Sequence, residues 1–155
     1  MSIQRLTHIG ICVADMERSL RFYRDALGFT YLSEIRIGGE PTATLLQLPE
    51  VDLHACYLER DGTRIELLHY LSPGAVSAPR PRPLNQLGLT HVSLRVTNLN
   101  EVVDKLRAAG AAVIEPSHID FPAFAAAAIF VTDPDGTLLE LVQAPGDPAL
   151  PPGAG

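Results

Sequence analysis

The sequence predicts an α+β fold made of two tandem copies of one strand–helix–three-strand (βαβββ) unit. Three observations carry that prediction. Leu6-Thr7-His8-Ile9 returns 83 residues further on as Leu89-Thr90-His91-Val92. Asp61-Gly62-Thr63-Arg64-Ile65-Glu66-Leu67-Leu68 returns 74 residues further on as Asp135-Gly136-Thr137-Leu138-Leu139-Glu140-Leu141-Val142. After each Thr-His motif, alternating apolar residues give way to apolar spacings of three and four, the change from strand to helix periodicity.

The first copy, residues 6–70, opens on a strand through His8. Asp15 is the helix cap, because a short carboxylate accepts from the free amides of the first turn. Met16, Leu20, Tyr23 and Leu27 then form one helical face, and Gly28 stands where the helix should stop. Residues 29–37, 42–48 and 53–59 read as further strands, and Asp61-Gly62 as a tight turn into the strand that carries Glu66. Pro73, Pro79, Pro81 and Pro83 mark residues 71–88 as a linker or as a loop closing over a pocket. The second copy, residues 89–144, repeats the order: a strand through His91, the cap Asn98, the helical face Leu99, Val102, Val103 and Leu106, and the stop Gly110. Strands are expected at residues 111–115 and 125–132, and again after the Asp135-Gly136 turn. Residues 145–155 hold Pro145, Pro148, Pro151 and Pro152 and read as a frayed tail. The 155 residues suit one domain with its own core.

Composition narrows the function. A net charge of −6 with no basic cluster argues against nucleic acid as a partner. The apolar run from residue 121 to 131 is broken by Pro122 and falls short of the roughly 20 residues of a membrane span. No leader precedes the first strand, so a cytoplasmic location is expected. Cys12 and Cys56 both fall in apolar strands and are expected as buried, reduced thiols.

Strand geometry then selects four residues. Side chains alternate between faces, so Thr7, Ile9, Ile11 and Val13 share the face under the helix, and His8, Gly10 and Cys12 point away from it. By the same count His91, Ser93 and Arg95 face away in the second copy, and Glu66 and Glu140 lie opposite the packing sides of their strands. A glutamate within Ile65-Glu66-Leu67 or Leu139-Glu140-Leu141 is costly to bury alone. A matching histidine and glutamate in each repeat call for a common partner, and one divalent metal would serve all four. A metal-free His–Glu pair is the competing reading.

At these residues the chain resembles the vicinal oxygen chelate superfamily, which includes glyoxalase I, methylmalonyl-CoA epimerase, extradiol dioxygenases and the bleomycin and fosfomycin resistance proteins. The resemblance runs from Leu6 to Gln143. Its most specific segments are Leu6-Thr7-His8-Ile9-Gly10, Phe22-Tyr23-Arg24-Asp25-Ala26-Leu27-Gly28-Phe29 and Asp133-Pro134-Asp135-Gly136-Thr137-Leu138-Leu139-Glu140-Leu141. It implies paired modules whose curved sheets enclose a metal or ligand pocket. It places His8, Glu66, His91 and Glu140 on the four metal positions of glyoxalase-like members. Dioxygenase-type members would use His8, His91 and Glu140 and leave Glu66 surplus. Leu48-Pro49-Glu50 resembles the epimerases, which implies Glu50 as a base, whereas Val51-Asp52 and Thr132-Asp133-Pro134 depart from their pattern.

Two imidazoles and two carboxylates suit Zn, Ni, Co, Mn or Fe. Such a site can polarise a substrate carbonyl and stabilise the enolate or enediolate formed when the adjacent proton leaves. Glu140 is the expected base, with Glu66 or Glu50 as the second acid/base group. His54, Arg64 and Arg95 are candidates for the substrate pocket, the arginines for a carboxylate or phosphate. His69 is expected to point away from Glu66, and His118 to lie in a loop. The expected activity is that of a glyoxalase-like isomerase, epimerase or lyase on a small oxygenated substrate, a thioester or thiol adduct among the candidates. The alternatives are a ring-cleaving dioxygenase and a non-catalytic small-molecule-binding resistance protein. A homodimer is expected.

Overall fold

A computed structural model describes residues 2–77 and 80–151. Pro79 of the expected linker and Pro152 of the expected tail lie outside the described residues. The chain divides into two compact units, Met1–Ala78 and Pro79–Gly155.

The first unit runs β1 (Ile9–Cys12), α1 (Met16–Leu20), β2 (Thr30–Gly38), α2 (Thr42–Leu46), β3 (Asp52–Arg60) and β4 (Thr63–Ser72). Its sheet has the order β1-β4-β3-β2, with β1 parallel to β4 and the other pairs antiparallel. Asp15 caps α1 as expected, its Oδ1 accepting from the Arg18 amide at 2.9 Å. Beyond Leu20 the helix widens into π-helical turns over Arg21–Ala26, and the Leu27 amide donates to the Phe22 carbonyl. Met16, Leu20, Phe22, Tyr23 and Leu27 are buried, as are Ile11, Val13, Leu58, Ile65 and Leu67 of the sheet. Gly28 takes φ +75°, and the Arg60 guanidinium, which donates to the Leu27 carbonyl, occupies the space a Cβ would need.

Residues 42–48 are not a strand. Thr42–Leu46 form a short helix, in which Ala43 and Leu46, three residues apart, share one face. Ala43 and Leu46 pack on Val51, Leu53 and Ala55 while Leu45 is left exposed. Strand alternation would have put Ala43 and Leu45 on one side. The Glu40 carboxylate secures the turn, accepting from the Thr44 amide and hydroxyl at 3.3 and 2.7 Å.

The second unit runs β5 (Val92–Val96), α3 (Leu99–Ala108), β6 (Ile119–Phe121), β7 (Ala126–Thr132) and β8 (Leu138–Gln143). Its sheet order, β5-β8-β7-β6, reproduces that of the first unit, again with one parallel pair, β5 with β8. Asn98 caps α3 by accepting from the Glu101 amide at 3.2 Å, and Leu99, Val103 and Leu106 are buried. Ile129, Val131, Leu139 and Leu141 form the apolar side of the sheet.

Residues 111–115 make only an isolated bridge, Val113 with Val131, and the fourth strand is Ile119–Phe121 instead. Pro116 lies in a 3₁₀ turn over Glu115–Ser117, and the Ser117 hydroxyl accepts from the Phe130 amide at 2.9 Å. A side chain thus takes the ladder position that a continuing strand would have used. His118 follows that turn, immediately before β6.

The β7–β8 turn is organised by Asp133, which is buried and accepts from the amides of Asp135 and Thr137 at 2.9 and 2.8 Å. Gly136 there has φ +94°, and the Arg80 backbone sits where its Cβ would be. Cys12 corrects one expectation: both cysteines are free, but only Cys56 is buried, and Cys12 is exposed on the edge strand β1. No helix among the described residues is long and apolar enough to cross a membrane.

The Asp15 cap has a pH signature. Its hydrogen bond from the Arg18 amide holds the carboxyl below the ordinary aspartate range. A group depressed in the folded state stabilises above its unfolded pKa and loses that contribution as pH falls through its folded value. Asp15→Ala should therefore cost about 1 kcal/mol at neutral pH in urea denaturation. The difference from wild type should shrink in acid, and a constant difference would exclude the charged cap as its source.

Candidate functional site

Each unit holds one histidine–glutamate pair on the sheet face away from α1 or α3. In the first unit His8 Nε2 lies 3.0 Å from Glu66 Oε2. The register explains the meeting: Gly10 pairs with Glu66 in the parallel β1–β4 ladder, and the chain just before Gly10 carries His8 alongside. The other ring nitrogen, Nδ1, lies 3.0 Å from the Thr7 hydroxyl. Glu66 Oε1 accepts from the Tyr57 hydroxyl at 2.8 Å, and the Tyr57 ring meets the imidazole edge-on with centroids 5.5 Å apart. Tyr57 comes from β3, directly opposite Glu66.

The second unit repeats the arrangement more loosely. His91 Nε2 lies 3.6 Å from Glu140 Oε2, and His91 Nδ1 lies 2.8 Å from the Thr90 hydroxyl. Phe130, opposite Glu140 on β7, takes the place of Tyr57, with its ring centroid 5.3 Å from that of His91. Phenylalanine has no hydroxyl to give, so Glu140 is held from the other side: Ser93 Oγ donates to Oε2 at 2.8 Å. Residue 10, the counterpart of Ser93, is a glycine.

The two carboxylates therefore differ. Glu66 has both oxygens engaged and a side chain only 13% exposed. Glu140 engages Oε2 alone and is 31% exposed, with no partner to Oε1 among the described residues. One is anchored and the other keeps an oxygen available.

The remaining candidates divide. Arg64 lies within 3.4 Å of Glu59, its Nε unpartnered among the described residues, and with Arg5 and His8 it lines a cleft of about 110 Å³ in the first unit. Arg95 donates to the carbonyls of Ala144 and Pro145, which ties down the start of the tail. Glu50 is exposed in the turn between α2 and β3, with φ +50°. His54 is on the opposite sheet face from Glu66: it pairs with His69 across the β3–β4 ladder, and His69 lies an odd number of residues, three, from Glu66. It binds Glu34 there and is not drawn to the His8–Glu66 pair.

Thr7, Thr90, Tyr57 and Phe130 join the site without being among the candidates, and Ser93, expected on the face of His91, proves to be a partner of Glu140. The threonines were visible inside the duplicated Thr-His motif. Tyr57 and Phe130 were hidden because they lie 73 residues apart while Glu66 and Glu140 lie 74 apart. The second turn is one residue longer, so only the strand register reveals their equivalence.

Burial and the bond to Glu66 both push the Tyr57 phenol above the ordinary tyrosine range, burial more strongly. In a spectrophotometric titration Tyr57 should ionise above an ordinary tyrosine. Glu66→Gln should bring it down without restoring it fully. A phenol indifferent to that substitution would mean that Tyr57 and Glu66 do not touch.

A family model described as Glyoxalase/Bleomycin resistance protein/Dioxygenase superfamily matches residues 5–141. The chain is 29% identical over 145 residues to the mitochondrial methylmalonyl-CoA epimerase of Bos taurus, covering 92% of this chain and 76% of that one. It is 30% identical over 140 residues to a protein of Synechocystis named "Probable lactoylglutathione lyase", covering 89% and 94%. Among solved structures, a glyoxalase family protein from Bacillus cereus superposes with a TM-score of 0.78 at 20% identity, covering 94% of this chain and 97% of that one.

Proposed function

The chain belongs to the glyoxalase/bleomycin resistance/dioxygenase superfamily, and from that premise we propose that it is a metal-dependent epimerase or isomerase acting at the carbon next to a carbonyl. A coenzyme A thioester is the substrate class we favour. The observation that carries this reading is the duplicated His–Glu pair, each with its imidazole Nε2 turned toward the carboxylate.

We assign His8 and Glu66 in the first unit, and His91 and Glu140 in the second, as metal ligands. The donor chemistry fits: imidazole and carboxylate form a mixed N/O set suited to a divalent cation. Thr7 and Thr90 sit at the far ring nitrogens and fix the orientation of the rings, as partners of ligating histidines do. A bound cation would supply Lewis acidity toward a substrate oxygen, a contribution of roughly several kcal/mol to the stabilisation of developing negative charge.

The protein groups supply the proton transfer. Glu140, with Oε1 uncommitted, removes the proton from the α-carbon. The electron pair left behind moves into the carbonyl, giving an enolate. Reprotonation from the opposite side by a second acid, Glu66 or Glu50, inverts the centre; return by the same group gives exchange without inversion. Both Glu66 oxygens are already engaged, which favours Glu50 for that role. Arg5 and Arg64, beside His8 in the cleft, would hold an anionic group of the substrate. The names of the relatives support a thioester or a thiol adduct.

The test is solvent exchange. Metal-loaded protein incubated with methylmalonyl-CoA in deuterated water should incorporate deuterium at the α-carbon, read by mass spectrometry. Glu140→Gln should slow exchange by roughly 10²- to 10⁴-fold with bound metal retained by elemental analysis. His8→Ala should lose metal and exchange together. Exchange at wild-type rate in Glu140→Gln would remove that residue as base. Absence of exchange with acyl-CoA thioesters and hemithioacetals alike, in metal-loaded protein, would refute the enolate chemistry.

A further inference from the structure

The other face of the first sheet carries a second group of donors that the proposed reaction does not use. Glu34 of β2 pairs in register with Cys56 of β3, and His54 stands two residues before Cys56 on the same face. His54 Nε2 lies 2.5 Å from Glu34 Oε2, Cys56 Sγ lies 3.6 Å from His54 Nε2 and 3.8 Å from Glu34 Oε2. Among the described residues this is the cluster of three such side chains whose donor atoms all lie within 4.8 Å of one another.

We propose that Glu34, His54 and Cys56 form a binding site for a borderline-soft divalent cation of the zinc class, separate from the His–Glu pairs. The dimensions suit it. Zinc bonds of roughly 2.0 to 2.3 Å in a tetrahedron place neighbouring donors roughly 3.3 to 3.8 Å apart. Both sulfur distances fall in that range, and only the hydrogen-bonded His54–Glu34 contact must open, by about 1 Å, as the cation replaces its proton. The donor types agree as well: a thiolate, an imidazole and a carboxylate are zinc's usual ligands, and water completes the fourth position. Charge balances, since a carboxylate and a thiolate neutralise M²⁺.

The site is also built to be reached. Cys56 is buried and the His54 side chain is 13% exposed, whereas Glu34 is 54% exposed on the edge strand β2. The floor is thus rigid and the outermost ligand can swing. Glu17 of α1 adds negative potential at Cys56, and Arg36 is the cation nearest Glu34 on its own strand. Without a metal, burial and then the Glu34 carboxylate push the Cys56 thiol up to about 11. Binding at neutral pH therefore expels the thiol proton, and affinity should fall as pH drops. A cation here would clip the edge strand β2 to β3.

Cobalt(II) is the probe, because a thiolate ligand gives a near-ultraviolet charge-transfer band that an all-N/O site cannot give. Titration of the protein with cobalt beyond what the His–Glu ligands take up should produce that band and saturate it with one cobalt at the thiolate site. Cys56→Ser should abolish it, while Cys12→Ser, on the opposite face, should keep it. Glu34→Gln, at an exposed position that leaves the buried core untouched, should weaken cobalt affinity at the band by at least about tenfold. Zinc should displace the cobalt and bleach the band. A saturated protein without the band, a band surviving Cys56→Ser, or unchanged affinity in Glu34→Gln would each overturn the proposal. Failure of the solvent-exchange test would leave these readings unaffected.

Discussion

A carboxylate set into an apolar strand must find a partner or lose its charge, and that constraint shapes both units. Glu66 and Glu140 each stand between buried neighbours, Ile65 and Leu67 in one strand, Leu139 and Leu141 in the other. Leaving such a group unpaired would cost several kcal/mol. In each unit the strand period resolves the conflict. The apolar neighbours turn toward the helix, and the glutamate turns to the far face, where the parallel ladder delivers a histidine. The same alternation that builds the core therefore builds the pair. Neither could be shifted by one residue without inverting the other.

The copies have diverged in how they hold the carboxylate. In the first, the hydroxyl comes from the antiparallel neighbour, Tyr57, and residue 10 is glycine; in the second it comes from the parallel neighbour, Ser93, and the aromatic partner is Phe130. The exchange keeps an aromatic edge against each imidazole while moving the donor from one side of the glutamate to the other. Its consequence is unequal freedom. Glu66 is clamped at both oxygens, a state suited to a fixed ligand. Glu140 keeps Oε1 without a partner among the described residues, the requirement for a group that must accept and return a proton during turnover.

Much of this was legible in the residues because duplication doubles every signal. One His-to-Glu relationship in a strand means little; the same relationship twice, with the same Thr before the histidine, fixes face and register together. The helix caps were legible for a local reason, since Asp15 and Asn98 act on amides three residues away. What failed was what depends on distant surfaces. Thr42–Leu46 became a helix because Val51, Leu53 and Ala55 offer it a floor. Residues 111–115 stopped short of a strand because Ser117 captured the Phe130 amide. Cys12 is exposed because it sits on an edge strand with its side chain on the face opposite the buried Ile11. Glu34 could not be joined to His54 and Cys56 from spacing, since 20 residues separate it from the histidine and only the β2–β3 register brings them together.

One sheet thus presents two chemistries, sorted by the parity of the strand. Odd and even positions of β3 send Tyr57 toward the His8–Glu66 pair and Cys56 toward Glu34 and His54 on the reverse. On the first face the His8–Glu66 pair offers nitrogen and oxygen, donors that tolerate exchangeable ligands and leave a bound cation strongly Lewis acidic. The second adds a buried sulfur, which favours softer cations and holds them more tightly. The parity that separates core from pocket would then also keep two cations apart, each with donors the other cannot reach through the sheet. A cation taken up by the sulfur-bearing face would stiffen β3 from behind, and β3 is the strand that supplies the hydroxyl anchoring Glu66.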